Sequence, residues 1–412
     1  MTAASPTGPS PFVKRPSFIF SLAALAALTA TAVDVALPAQ PAIAMGFGER
    51  AEAGGIIVSA YFLGFGPGQL IWGPLADKYG RMPPMIIGLI GFILTSIICI
   101  YATSLEMLAV SRVFQGIFGG STPVIARAIA RDQGGGKDTA NLLATILMIF
   151  GLAPLLAPIV GSGILMFTDW TGTFWFLVVF GLALMLLAHF YVSPATKAHA
   201  ATEQSRVPMS WGLVTRLMGE RDFLMGTCAM AALFAGYATI LAAGAAMTEV
   251  RYGLSATKFG PLFALAAAAV IIGPAISKRL MKTGKLRTSL KVGACCSGLA
   301  GLAFLLMAQT YVPLYAYWAC VFLYILGYGI MAPVANAIAL EPAGDAAGTA
   351  SSLLSALPTT GGVIGSALAT STIFPSAYEA LSYCLAGGGL TACFIVLLFG
   401  RGKPAKKALV KN

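Results

Sequence analysis

Long apolar runs with very few charged residues recur from one end of this chain to the other. A helix needs about 20 apolar residues to cross the roughly 30 Å hydrocarbon core of a bilayer. Only 10% of the 412 residues are charged, against about 25% in soluble domains, and the mean hydropathy is +0.84. Twelve runs are long enough: residues 17–44, 53–76, 84–103, 106–130, 139–166, 172–193, 223–247, 258–277, 290–309, 312–338, 346–373 and 379–400. The sequence therefore predicts an all-α membrane protein with twelve transmembrane helices.

The start of the first run permits a second interpretation, a cleaved signal peptide. Lys14 and Arg15 precede the apolar residues, and Ala30-Thr31-Ala32 is typical of a signal-peptidase site. The hydrophobic region of a signal peptide is only about 7–15 residues long, whereas this run continues to Ala44. We therefore expect a retained transmembrane helix.

The basic residues are distributed unevenly between the predicted connections. If both termini lie in the cytoplasm, only Arg50, Arg251 and Lys258 of the 26 Lys and Arg residues lie outside, and Arg112 lies within a run. This asymmetry follows the positive-inside rule, although the acidic connection between the tenth and eleventh runs departs from it. The net charge of +11 is therefore expected to orient the chain in a bacterial inner membrane and to contact anionic lipid, not nucleic acid.

A polar stretch at residues 194–222 divides the twelve runs into two sets of six. We predict a cytoplasmic tail at 1–16, a six-helix bundle at 17–193, a cytoplasmic linker at 194–222, a second bundle at 223–400 and a basic cytoplasmic tail at 401–412. The same short pattern follows the second run of each set: Gly73-Pro74 and Lys78 in the first, Gly273-Pro274 and Lys278 in the second. Two such halves are typical of alternating-access transporters, whose substrate site lies between them near mid-membrane.

Three motifs lie at specific places in this pattern. Residues 73–81 (GPLADKYGR) follow the second run, residues 112–116 (RVFQG) lie in the fourth, and residues 153–161 (APLLAPIVG) lie in the fifth. They resemble the signature loop of the major facilitator superfamily, its Arg-x-x-Gln-Gly pattern, and the proline-glycine motif of drug:proton antiporters with twelve helices. The resemblance implies the major facilitator fold, with two pseudo-symmetric halves.

Further stretches resemble the Bcr/CflA (bicyclomycin-resistance) type of drug exporter within that superfamily. They are residues 34–41 (DVALPAQP), 252–260 (YGLSATKFG) and 339–352 (ALEPAGDAAGTASS). Two local departures occur, Gln40 where an apolar residue is usual and Ser277 where the second signature loop has an acid. We expect Gln40 to bear on substrate choice.

Asp34 is the only acid well inside a run, and Arg112 is the only basic residue similarly placed. A charge at the bilayer centre costs roughly 2.5–3.5 kcal/mol on insertion scales, so such residues are expected to be functional. Helical geometry puts Asp34 about 25 Å and Arg112 about 20 Å from the cytoplasmic edge. We predict that they carry proton coupling. The alternatives are a carboxyl that braces the Pro38/Pro41 kink and an arginine that bonds helix carbonyls.

The family resemblance implies roles for two of the motifs. Gly73, Asp77, Gly80 and Arg81 would form a cytoplasmic gate, with Asp77 near the start of the eleventh helix; a solvated turn is the alternative. Pro154, Pro158 and Gly161 would form the antiporter motif of the fifth helix, a close contact that limits leakage.

The substrate pocket is predicted from residues in the runs that resemble cavity-lining helices of the superfamily. An aromatic cavity with one carboxylate suits lipophilic or cationic compounds. The expected pocket residues are Asp34, Gln115, Phe234, Tyr237, Tyr328 and Asn336.

The sequence thus predicts a monomeric proton-coupled antiporter that exports small molecules and uses no cofactor. An exporter of a metabolite or siderophore, or a facilitator or symporter of the same fold, is the alternative. The runs lack the convergent groups that an enzyme needs, and no phosphate-binding Gly-x-x-x-x-Gly-Lys-Ser/Thr loop occurs. The seven cysteines lie in apolar runs without metal-ligand spacing, so we expect packing roles and no metal. They are Cys99, Cys228, Cys295, Cys296, Cys320, Cys384 and Cys393.

Overall fold

In a computed structural model of the chain, the described residues include twelve helical segments, α1 to α12, that correspond to the twelve apolar runs. The structure describes residues 15–132, 142, 145–146, 148–199, 211–282, 286–341 and 347–400. Nearly all of the predicted N-terminal tail and the whole of the predicted C-terminal tail lie outside the described residues.

Ten of the segments are, among the described residues, long and apolar enough to cross a membrane. They are α1 Pro16–Gly46, α2 Ala51–Lys78, α3 Met82–Ile100, α6 Thr171–Thr196, α7 Arg221–Tyr252, α8 Ala256–Met281, α9 Leu286–Met307, α10 Leu314–Leu340, α11 Ala347–Thr370 and α12 Ala377–Phe399. Large apolar side chains such as Leu94, Leu299 and Phe394 are exposed on the outside of the bundle, as lipid contact requires. The prediction of an all-α membrane protein is confirmed.

The two remaining segments are interrupted. The fourth, α4, consists of Leu105–Gly119 and Ser121–Asp132, which meet at Gly120. Its charged residues break up its apolar run, so it is less hydrophobic than its neighbours. The fifth, α5, is the apolar helix Met148–Ile164, and residues 133–141 before it lie outside the described range.

A break divides α1 near its centre. Regular helix ends at Asp34, a short 3-10 turn covers Leu37–Ala39, and helix resumes over Gln40–Gly46. Proline has no N–H and cannot continue the hydrogen-bond ladder, and Pro38 falls inside this turn. The break therefore lies where the sequence places both the proline and the lone acid.

Helix packing repeats between the two halves of the chain. In the first half α2 packs against α4, α3 against α6 and α1 against α5, and in the second α8 packs against α10, α9 against α12 and α7 against α11. Between the halves, α2 packs along α11 and α5 along α8. This is the two-half arrangement that the sequence predicts for the fold.

The bundle has two chemically different ends. We call the end where Lys78, Arg81 and Arg131 lie the basic end, and the end where Gly55 and Thr370 lie the opposite end. Part of the predicted linker forms a short helix, Trp211–Gly219, at the basic end. Its Leu217 is buried against Phe223 and Leu354 of the second half.

Candidate functional site

Asp34 lies at the break in α1, in the interior of the bundle. Its residue surface is 3% exposed, and it lies about 27 Å from the start of α1 at 1.5 Å per residue. Within the described part of the chain, its carboxyl forms neither a hydrogen bond nor an ion pair. Asp34 is therefore a buried acid whose charged form has no compensating partner.

An aromatic cluster made of Phe62, Phe234, Tyr237 and Tyr328 lies between the two halves of the bundle. Phe62 of α2 meets Phe234 of α7 edge-on at 5.5 Å between ring centroids. Tyr237 of α7 stacks on Tyr328 of α10 at 5.6 Å, with ring planes 3° apart. The Asp34 carboxylate is close enough to act electrostatically on the Tyr237 hydroxyl. The cluster thus joins the two halves, and its Tyr237 lies within electrostatic range of the acid.

The arrangement suits a compound with an apolar or aromatic body. Aromatic side chains provide large apolar surfaces with a polar edge, and their faces attract cations. Gly362 of α11 leaves room for the cluster, because a Cβ there would come within 2.5 Å of the Phe234 ring. Of the predicted pocket residues, Asp34, Phe234, Tyr237 and Tyr328 are thus brought together.

Arg112 is completely buried in the first half and contacts the backbones of α1 and α2, not Asp34. Its Nε donates to the Ile57 carbonyl oxygen at 3.2 Å and its Nη1 to the Ala32 carbonyl oxygen at 3.3 Å. The guanidinium also lies 4.6 Å from the centre of the Tyr61 ring. This is the carbonyl-bonding arrangement that the sequence left open as an alternative. Its acceptor on α1, Ala32, lies two residues before Asp34.

The break in α1 explains why Ala32 needs this donor. The Ala36 N–H bonds to the Val33 carbonyl oxygen at 3.2 Å instead of continuing the regular ladder to Ala32. Arg112 supplies the donor that the Ala32 carbonyl would otherwise lack. Arg112 is thereby a positioning residue for the turn that carries Asp34.

Gln115 and Asn336 lie apart from the aromatic cluster. The Gln115 amide accepts from Arg112 Nη1 at 2.5 Å and donates to the Ser96 hydroxyl at 2.6 Å, so it is engaged inside the first half. Asn336 lies about two helical turns beyond Tyr328 towards the basic end, and its side chain is exposed.

Gln40 lies at the contact between the halves near the opposite end. Its Nε2 donates to the Leu241 carbonyl oxygen of α7 at 2.7 Å, and its Oε1 is buried without a partner among the described residues. The backbones are close here, since a Cβ on Gly55 would overlap with the Ala242 carbonyl oxygen. In this conformation Gln40 holds the halves together.

The predicted motif of the fifth helix lies against both α1 and the second half. Pro154, Pro158 and Gly161 are buried. A Cβ on Gly161 would overlap with the Val35 carbonyl oxygen, next to Asp34, and a Cβ on Gly260 of α8 would overlap with the Pro158 carbonyl oxygen. Small residues thus permit close backbone approach on two sides of α5.

The predicted gate lies at the basic end. Gly80 has φ +84°, a conformation that glycine adopts without strain. Gly73 lies two turns earlier in α2, and a Cβ there would come no closer than 3.8 Å to a neighbouring side chain. Arg81 bonds Asp77 at 2.6 Å and Asp132 of α4 at 2.7 Å. Burial alone would lower the pKa of Arg81, but hydrogen bonds and charges from Asp132 and Asp77 outweigh it and raise the pKa.

The neighbour predicted for Asp77 is the start of the eleventh helix, where residues 342–346 lie outside the described range. Two contributors were missed by sequence reasoning. Asp132 ends α4 and ties it to the signature loop, and Phe62 supplies the first half's share of the aromatic cluster. The sequence did offer a sign of Asp132, because it is an acid at the end of the run that carries the superfamily's arginine pattern.

Comparison with known proteins identifies the family of this fold. The family model described as Major Facilitator Superfamily matches residues 19–366. The chain is 28% identical over 360 residues to "Uncharacterized MFS-type transporter YdgK" of Bacillus subtilis, covering 86% of this chain and 87% of the relative. It is 27% identical over 358 residues to "Bicyclomycin resistance protein homolog" of Haemophilus influenzae, covering 86% and 89%.

Among solved structures, the fold is similar to that of a mutant of the peptide transporter POT in complex with sulfate. The TM-score is 0.75 at 16% sequence identity, covering 96% of each chain. At this identity the likeness concerns the fold alone.

Proposed function

Because the chain belongs to the Major Facilitator Superfamily, a family of transporters and not of enzymes, we propose that it is a proton-coupled antiporter exporting small lipophilic or cationic compounds by alternating access. In this proposal the basic end faces the cytoplasm of a bacterium, because Lys and Arg concentrate at that end. Both termini then lie inside, and the protein acts as a monomer surrounded by inner-membrane lipid.

The single observation that carries the proposal is the environment of Asp34. A buried carboxyl without a compensating cation strongly favours its neutral form. It becomes charged only when water or a cationic group reaches it, as happens when one end of the bundle opens. Asp34 therefore meets the requirement for a proton carrier whose occupancy depends on conformation.

The aromatic cluster makes proton and substrate compete for one place. A lipophilic cation seated on Tyr237 and Phe234 would lie near the Asp34 carboxylate and favour its ionised form. Substrate arriving from the cytoplasm then expels the proton, and a proton arriving from outside helps to release the substrate. That exchange is antiport.

The driving force is adequate for concentrative export. Moving one charge through a membrane potential contributes about 2.3 kcal/mol per 100 mV, and each unit of pH difference adds about 1.4 kcal/mol. One proton moving inwards can therefore drive a neutral or monovalent compound outwards against a useful gradient.

Conformational exchange uses contacts already described at the two ends. The Gln40–Leu241 bond closes the opposite end and would break when that end opens. The Arg81 network with Asp77 and Asp132 holds the signature loop at the basic end. The close contacts of Gly161 and Gly260 on α5 are proposed to keep protons from leaking while the halves move.

The relative from Haemophilus influenzae named for bicyclomycin resistance supports export of drug-like compounds. Export of a metabolite or siderophore by the same cycle, or facilitated movement of solute without protons, are the alternatives. They differ in substrate or coupling while sharing the fold.

Proton release from detergent-purified protein upon addition of lipophilic cations tests the proposal. Wild-type protein is compared with Asp34→Asn and with Glu106→Gln, which changes an exposed acid at the opposite end. We expect release from wild type and Glu106→Gln and none from Asp34→Asn.

Equal release from all three proteins would remove Asp34 from the proton-carrying role. Substrate binding without release from any of them would instead indicate a facilitator or a different coupling ion. Counterflow in oriented vesicles then establishes the direction of transport.

A further inference from the structure

A line of polar side chains crosses between the halves at the level of the basic end. Arg127 of α4 donates from Nη1 to the Ser355 hydroxyl of α11 at 3.5 Å. Gln69 of α2 donates from Nε2 to the Thr359 hydroxyl, one turn further along α11, at 3.4 Å. We call these four residues, Gln69, Arg127, Ser355 and Thr359, the polar seam.

Arg127 has no carboxylate within 4 Å anywhere in the described part of the chain. The nearby acids Asp77 and Asp132 both pair with Arg81. Arg131 lies one turn away and adds a second positive charge that acts on Arg127. The polar seam is therefore electropositive, and its arginine is not neutralised.

The guanidinium of Arg127 is oriented and retains hydrogen-bonding capacity. Its Nε is fixed by the Pro123 carbonyl oxygen at 2.9 Å, within the same helix. No described residue accepts from its Nη2. A guanidinium presents paired N–H donors in a planar fork that matches a carboxylate in two-point contact. The free donors and the unbalanced charge call for an anionic group.

In depth along the helix axes, the polar seam lies between the basic end and the aromatic cluster. Along the helix axes, Arg127 lies about 8 Å from the basic end of α4 and Phe234 about 20 Å from that end of α7. A compound with an acidic group and an aromatic body about 12 Å long spans that distance.

We propose that the polar seam is a docking position for the acidic group of the substrate, so that the transported compounds include amphipathic organic acids and zwitterions. The aromatic body then points towards the cluster and any cationic part towards Asp34. The proposal rests on the proposed export function and extends its substrate class from lipophilic and cationic compounds to compounds that carry an acidic group. A membrane potential that is negative inside also favours outward movement of an anion.

A matched pair of probes tests the docking position on the full-length purified protein. Dansyl-phenylalanine carries a carboxylate, and dansyl-phenylalaninamide carries a carboxamide in its place. Their binding is measured by dansyl fluorescence without a pH gradient. We expect wild type to bind the acid about tenfold or more tighter than the amide, because a charge-assisted two-point contact is lost in the amide.

The variants are Arg127→Gln and Arg127→Lys, with Arg279→Gln, which removes an exposed arginine at the basic end of α8, as the matched control. Arg127→Gln is expected to weaken binding of the acid by about tenfold and of the amide by less than about twofold, since only the acid uses the charge. Arg127→Lys should fall between wild type and Arg127→Gln, and Arg279→Gln should stay near wild type. Ser355→Ala provides a milder change in case Arg127→Gln does not fold. It should lower the affinity for the acid and leave the affinity for the amide unchanged.

Equal affinity of wild type for acid and amide would overturn the proposal. So would an equal loss of both probes in Arg127→Gln, which would identify a packing or gating residue instead. Because these measurements need neither a pH gradient nor transport, their outcome is separate from that of the proton-release experiment, which tests the proposed function itself.

Discussion

The side-chain amide of Gln40 donates a 2.7 Å hydrogen bond to the backbone carbonyl oxygen of Leu241, across the boundary between the two halves. The amide is completely buried, and its own oxygen has no partner among the described residues. The bond thus holds the opposite end closed while leaving a polar atom unsatisfied. In the free energy of closing this end, the hydrogen bond is favourable and the unsatisfied oxygen is unfavourable.

Replacing Gln40 with leucine is therefore expected to strengthen closure of the opposite end. The variant loses a hydrogen bond worth about 1 kcal/mol, but it also removes a buried unsatisfied acceptor that costs about 1–3 kcal/mol. Spin labels at the exposed positions Met45 and Val250, in a background without native cysteines, report the separation of the halves. The fraction of molecules with a long Met45–Val250 distance should fall by a few-fold, and transport should slow.

Gln69→Leu is the matched control, because Gln69 also crosses between the halves but lies nearer the basic end. It should not narrow the Met45–Val250 distances. If Gln40→Leu widens them, the hydrogen bond outweighs the unsatisfied oxygen and the sign of this argument is wrong.

Arg112→Lys should reduce both stability and transport although it keeps the charge. A lysine ammonium is a compact point charge and cannot reproduce the planar fork that reaches Ile57, Ala32 and Gln115. Leaving a buried carbonyl without its donor costs about 1–3 kcal/mol, which should lower Tm by several degrees in a thermal unfolding measurement. Arg50→Lys at the exposed opposite end should leave Tm unchanged. An unaltered Tm for Arg112→Lys would contradict the positioning role.

We expect the stacked pair Tyr237 and Tyr328 to bind substrate through its ring surfaces and not through its hydroxyl groups. Aromatic pairs contribute about 0.5–1.5 kcal/mol beyond buried area, so Tyr237→Ala is expected to weaken binding of a fluorescent aromatic cation by about tenfold. Tyr237→Phe should stay within about twofold, since the ring remains. Tyr315→Ala, at an exposed position of α10, is the control. Equal losses in Tyr237→Phe and Tyr237→Ala would mean that the hydroxyl is the binding group.

Gly161→Ala should impair transport far more than Gly163→Ala in the same helix. The new Cβ at 161 would overlap with the Val35 carbonyl oxygen, whereas the space at 163 is open. Overpacking of this kind costs about 1–3 kcal/mol and would displace the turn that carries Asp34. Proton-driven uptake into inverted vesicles measures the effect. Similar activity of the two variants would show that α5 and α1 separate easily.

Asp132→Asn should loosen the signature loop. Its carboxylate accepts from Arg81 at 2.7 Å, but the pair is partly exposed, so we expect a loss of about 1 kcal/mol. That corresponds to a roughly fivefold faster hydrogen exchange at residues 78–82. Asp222→Asn, which alters a pair with Arg287 at the same end of the second half, should leave this loop unaffected. An unchanged exchange rate in Asp132→Asn would contradict the role assigned to the pair.

The sequence predicts the fold well because lipid imposes a strong, local requirement on each helix. Asp34 and the signature loop could be predicted for the same reason, because each is recognised within a single segment of the sequence. Lateral geometry is not local. The contact of Gln40 with Leu241 and the use of Arg112 by the Ala32 carbonyl depend on how distant helices pack, and no spacing in the chain indicates them.

Prediction was weakest for the pocket. Phe234, Tyr237 and Tyr328 share a cluster, but Gln115 turns inwards to Arg112 and Asn336 lies elsewhere on α10. All five lie in suitable helices, and what differs is the direction in which each side chain points. That direction depends on the rotation of each helix about its own axis, which hydropathy does not determine in a helix that is apolar on every side.

The dependence of Ala32 on Arg112 also bears on how the chain is made. During synthesis α1 leaves the ribosome well before α4, carrying a carboxyl that costs about 2.5–3.5 kcal/mol to insert and a carbonyl that still awaits its donor. We expect nascent α1 to remain beside the translocon until α4 arrives, so the first helix to be synthesised would be among the last to settle in the bilayer.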